Sequence, residues 1–79
     1  MGVHDADYNK VKDALGIPHD EPIFVIRAKD ACAPSALDHY FIIASAKGAE
    51  DDFLDGVRKV EDEMNDWQTK NAKKVGVPT

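Results

Sequence analysis

Apolar residues fall along this chain in four blocks, and their spacing differs from block to block. Over residues 5–15, Ala6, Val11, Ala14 and Leu15 make a thin apolar stripe at helical spacing. Asp5 or Asp7 can accept backbone N–H groups at its start, and Gly16 stands where a helix stops, so a short helix is predicted there. Two prolines, Pro18 and Pro22, then mark a connection, because each disfavours helix at the residue before it. The next block, Pro22–Ala28, holds four apolar residues in a row, Ile23 to Ile26. Its β-branched Ile23, Val25 and Ile26, together with Phe24, predict a β-strand over 22–28 that is buried on both faces.

From Asp30 onward the period becomes helical. Leu37, Tyr40, Phe41 and Ala44 lie at i, i+3, i+4 and i+7, and Ala33 extends the stripe backward. Pro34 suits a first helical turn, and Asp30 can cap the turn that leads in, which predicts a helix over about 33–47. Ala36, Ile42 and Ile43 broaden its stripe beyond what one neighbour covers, so this helix reads as central. Beyond Gly48, Phe53, Val57, Val60, Met64 and Trp67 step by four and three in a heptad-like seam. A long helix over about 50–72 follows, with Asp55–Lys59, Arg58–Asp62 and Asp66–Lys70 spaced for i,i+4 pairing.

These elements amount to an α+β fold in one domain spanning 1–79. A single apolar strand leaves its backbone donors and acceptors without partners, and burying each in that state costs roughly 1–3 kcal/mol. Within the chain only the short stretch Lys74–Val77, broken by Gly76, offers a second strand. The same strand from another copy offers a longer ladder across a two-fold axis, so a homo-oligomer is expected. Size points the same way, since a chain of 79 residues buries only about 60% of the surface its unfolded form exposes.

Charge narrows the function classes. Ten Lys/Arg against fifteen Asp/Glu give a net charge of −5, which argues against direct binding to duplex DNA. The acidity is local: residues 50–66 hold eight acids and two bases, and the rest of the chain is close to neutral. No apolar run reaches the length of a membrane span, and the polar start has no signal-peptide pattern. A single cysteine, Cys32, excludes an intramolecular disulfide and fits a reducing compartment.

Candidate chemistry gathers where the strand is expected to meet the helix. The N–H groups at a helix start favour an anion. Arg27 and Lys29 can hold a phosphate there, Asp30 can accept a hydrogen bond from a ribose or base, and Ser35 adds a hydroxyl. The plainer alternative is an Arg27–Asp30 ion pair with Asp30 as a helix cap. Cys32 reads as a small buried apolar residue. His39 has no ligand at i±4, and neither His4 with Asp5 and Asp7 nor His19 with Asp20 and Glu21 has spacing that specifies a metal. No metal, cofactor or catalytic residue is expected, and no Walker loop, dinucleotide fingerprint or nucleophile elbow is present.

The run Asp20-Glu21-Pro22-Ile23-Phe24-Val25-Ile26-Arg27-Ala28-Lys29-Asp30, followed by Ala33-Pro34, resembles a recurring group of small phage and prophage proteins. In that group an E-P-[IV]-F-V-[IL]-R-A-x-D run leads into A-P and a helix with a mid-helix aromatic. A second charged helix then ends in a Met-x-x-Trp-like pattern, here Met64 to Trp67. The chain departs from the group in carrying Tyr40-Phe41 where a tryptophan is expected, and in its N-terminal segment. The resemblance implies a phage-encoded accessory protein acting in the host bacterial cytoplasm, and it brings no mechanism. The expected function is therefore non-enzymatic: an oligomer that sequesters a small anionic ligand, such as a nucleotide immune signal, at Arg27, Lys29, Asp30 and Ser35. Two alternatives stand beside it. One is an inhibitor that presents the acidic helix 50–66 to a host defence enzyme as a nucleic-acid mimic, and the other is a structural oligomer without ligand.

Overall fold

The computed structural model describes residues 5–78, and side chains from Tyr8 to Pro78. Three helices form: α1 (Asp5–Leu15), α2 (Ala33–Ala46) and α3 (Asp51–Lys70), followed by a single 3-10 turn at Ala72–Lys74. Their ends follow the sequence punctuation. Gly16 closes α1 at φ 70°, with the Ile17 N–H donating to the Lys12 carbonyl at 2.8 Å. Gly48 closes α2 at φ 90°, with the Ala49 N–H donating to the Ala44 carbonyl at 3.0 Å. Pro34 sits in the first turn of α2, where its missing N–H leaves nothing unpaired. The Asp5 and Asp7 side chains and the His4 group lie outside the described residues.

The expected strand does not form, and the α+β reading gives way to an all-α fold. Among the described residues there is no sheet, only one isolated parallel bridge between Asp30 and Gly76. The tail therefore meets this segment at its C-terminal end alone. A strand is made by its partner, and among the described residues no stretch pairs with 22–28 to supply a ladder. The segment takes no regular structure and solves its hydrogen-bonding problem by remaining wet, leaving Phe24 78% exposed.

α2 and α3 pack as an antiparallel hairpin joined by Lys47–Glu50, and that hairpin is the body of the molecule. α1 packs against neither of them among the described residues. It is tied instead to the loop that follows it. Lys12 is buried and its ammonium donates to the His19 carbonyl at 2.9 Å, the His19 ring pairs with Asp13, and the Tyr8 hydroxyl accepts from the Val25 N–H at 3.4 Å.

α2 is not central. It turns Ala33, Leu37, Phe41 and Ala44 toward α3, while Ile42 and Ile43 remain largely exposed. The α3 seam is also rotated from the one its heptad spacing suggests. The inward positions are Leu54, Val57, Arg58, Glu61, Met64 and Gln68, whereas Phe53 and Val60 are 50% and 42% exposed. The rotation has a visible cause: it lets Arg58 reach the facing helix and Gln68 reach the Ala28–Asp30 backbone.

Little of the chain is enclosed. Ala33 and Leu54 are the only buried hydrophobic residues among those described. The radius of gyration is 14.1 Å, against about 12 Å for a compact chain of this length. The exposed surface is 6106 Å², where a folded monomer of this mass shows roughly 4,700 Å².

Candidate functional site

The sequence-predicted site residues sit in the turn that feeds α2. The Asp30 N–H donates to the Arg27 carbonyl at 3.0 Å, which folds Arg27–Asp30 into a tight turn. The Asp30 carboxylate then accepts from the Cys32 N–H at 2.8 Å, capping the turn as its position in the sequence suggests. Two further anchors fix this backbone. The Gln68 amide of α3 donates to the carbonyls of Ala28 (2.9 Å) and Asp30 (2.8 Å). From the other side, Gly76 donates its N–H to the Lys29 carbonyl and accepts from the Ala31 N–H, at 3.1 and 2.9 Å.

These bonds decide which donors remain for an anion. The Ala31, Cys32 and Ala33 N–H groups are all occupied, and Pro34 has none. The Ser35 N–H alone has no acceptor among the described residues, and the Ser35 side chain is exposed. Asp30 itself takes the negative position at the head of α2. Arg27 and Lys29 are exposed and form no ion pair among the described residues, so the alternative of an Arg27–Asp30 pair is not realised.

The tail stretch that the sequence offered as a partner for 22–28 bonds instead at the turn that follows it. By bonding to Lys29 and Ala31, Gly76 brings the exposed Lys73 and Lys74 to the same end of the molecule as Arg27 and Lys29. A basic end is thus assembled on an acidic protein from segments more than 40 residues apart. Nothing local in the sequence signals this, because the bridge rests on backbone groups and on Gly76. The nearby open depression lined by Asn65, Gln68, Thr69, Ala72 and Val75 offers amide and hydroxyl groups but no charge.

Cys32 is exposed rather than buried. Its thiol pKa is raised, first by a hydrogen bond to Asp30, then by the negative charge of that carboxylate, and last by desolvation. The helix start alone would lower it, but the carboxylate stands closer. The thiol is held protonated, which opposes nucleophilic reactivity.

A second cluster joins the helices. Arg58 Nη1 donates to Asp38 on α2 at 2.6 Å and to Glu61 on its own helix at 2.7 Å, and the guanidinium lies 3.8 Å from the centre of the Phe41 ring. Its pKa is raised, chiefly by the bond to Asp38 and then by the bond to Glu61. Of the three spaced pairs, only Asp66–Lys70 forms among the described residues, at 3.4 Å; Arg58 turns from Asp62 to Asp38 across the hairpin and to Glu61 at i+3. His39 is an exposed residue on α2.

No family model, curated protein or solved structure matches the chain. Among the described residues, no helix is long and apolar enough to cross a membrane, and no three His, Cys, Asp or Glu residues gather as a metal set.

Proposed function

We propose that this protein is a non-enzymatic phage accessory protein that works as a homo-oligomer and sequesters a small anionic ligand, of the class of a nucleotide immune signal. The observation that carries the reading is the basic end: Arg27, Lys29, Lys73 and Lys74, all exposed and none in an ion pair among the described residues. The backbone beneath Arg27 and Lys29 is pinned by Gln68 and Gly76, so the cations project from a fixed turn. Ser35 adds the one unused N–H at the head of α2, and Asp30 serves as the cap that holds the turn. Oligomerisation is supported by the surface the chain leaves uncovered, and by Tyr40, Ile42 and Ile43 of α2, which stay 42–55% exposed. The setting, a phage protein acting in the host cytoplasm against a defence system, follows the resemblance of residues 20–67.

Calorimetry with a panel of mono-, di- and cyclic nucleotides tests the site. Arg27→Ala is expected to weaken binding at least tenfold without changing the mass of the assembly. Equal affinity in the two proteins would overturn the assignment.

One observation favours a second reading. The outward side of α3 carries Asp51, Asp52, Asp55, Asp62, Glu63 and Asp66, all exposed, and of these only Asp66 is paired among the described residues. Such a row suits a basic groove on a host enzyme, with association that weakens as salt rises.

A further inference from the structure

The α2–α3 hairpin has one flank that is finished and one that is not. Tyr40 and Ile43 of α2 and Phe53 and Val60 of α3 lie along the open flank, each between 42% and 50% exposed. The Tyr40 and Phe53 rings meet edge to face at 6.2 Å, so the strip is continuous across the two helices. Along α3, Phe53, Val60 and the half-buried Trp67 recur at intervals of seven, one complete row of the heptad seam. Gly56 lies beside that row. It is an interior helical glycine, where alanine is the more stable residue, and beyond its own helical turn a Cβ built on it meets no atom of the described residues within 4 Å. Nothing within this chain accounts for it, whereas a helix of another molecule approaching closely would.

We infer that this flank is the interface with a second copy of the chain, in which the two α3 helices run antiparallel about a two-fold axis at Val60. This deepens the reading of the protein as a homo-oligomer and rests on it. The row is symmetric about Val60, so the axis sets Phe53 against Trp67 of the partner subunit and completes a four-helix arrangement. Charge agrees with that direction. The antiparallel register brings Lys70, at the end of one α3, to the acidic start formed by Glu50 of the partner subunit, with the helix dipoles opposed. Area agrees as well. The chain shows an excess over a compact monomer on the order of 1,000 Å², and a stable interface needs roughly 800 Å² from each partner.

The test uses the full chain in a Cys32→Ser background, read by native mass spectrometry and by oxidative cross-linking. Val60→Cys, on the axis, is expected to give a disulfide-linked dimer. Ile42→Cys, on the far side of α2, is expected not to. Val60→Glu should shift the mass toward 8.7 kDa with an unchanged helical circular dichroism signal, since that side chain is already half in water. Gly56→Ala, which stabilises a free helix, should instead raise the dissociation constant several-fold. An assembly that persists in Val60→Glu and fails to cross-link through Val60→Cys would overturn this interface and leave self-assembly standing. A wild-type chain that is monomeric at high micromolar concentration would overturn both.

Discussion

The two flanks of the α2–α3 hairpin are built from the same two helices and end in opposite states. On one, Arg58 joins Asp38, Glu61 and the Phe41 face in a cluster that needs nothing from outside the chain. On the other, Tyr40, Ile43, Phe53 and Val60 present half-exposed apolar surface. The difference shows how a short chain divides its work. A guanidinium satisfies two carboxylates and an aromatic face with one side chain, and so closes a helix pair without a large core. Apolar contact depends on area, and the described residues bury only Ala33 and Leu54 among their hydrophobic side chains.

Three substitutions separate the flanks. The largest effect is expected at Leu54, the one large buried hydrophobic residue of the hairpin, which lies between them. Leu54→Ala should lower stability by about 2–3 kcal/mol in chemical denaturation, weakening the packing that both flanks depend on. A loss below about 0.5 kcal/mol would mean that the hairpin is held by its edges alone. Arg58→Met, which keeps the stem and removes the charge, should lower the melting temperature by a few degrees. It should also make melting less sensitive to salt and leave the mass in solution unchanged, because the proposed interface lies on the other flank. A change of mass would break the comparison. The smallest effect belongs to the capped turn, away from both flanks. Cys32 should react with iodoacetamide at pH 8 more slowly than an unstructured thiol, and Asp30→Asn should speed it several-fold. The sign of the linkage follows. A raised thiol pKa contributes stability that is fully present below the ordinary thiol pKa and is lost as pH climbs through the raised value.

Much of the fold was legible because its boundaries are chemical. Gly16, Pro34, Gly48 and Asp30 act within a turn of where they stand, so helix ends and the capped turn that leads into α2 follow from local rules. The strand was misread because β-branched residues report only a preference for extended backbone, while a ladder requires a partner that local sequence does not reveal, and 22–28 takes no regular structure. The rotation of α3 escaped the heptad count for a related reason. Counting apolar positions treats Arg58, Glu61 and Gln68 as solvent-facing, yet each turns inward to a bond on the hairpin or on the Ala28–Asp30 backbone. At the candidate site, Arg27, Lys29, Asp30 and Ser35 were readable as neighbours in sequence. The share contributed by Gln68 and Gly76 was not, because it arises from contacts across some 40 residues.

The attachment of α1 sets up a hierarchy of stability. A helix fastened, among the described residues, to the loop beside it alone, through Lys12, His19, Asp13 and Tyr8, is expected to open as a separate unit from the hairpin. Its amides open by a local route and should exchange with deuterium well before those of α3, whose opening requires the hairpin to come apart. The polypeptide thus behaves as two tiers, with an outer arm that can unfasten, and be cleaved or exchanged with a neighbour, while the inner pair of helices stays folded.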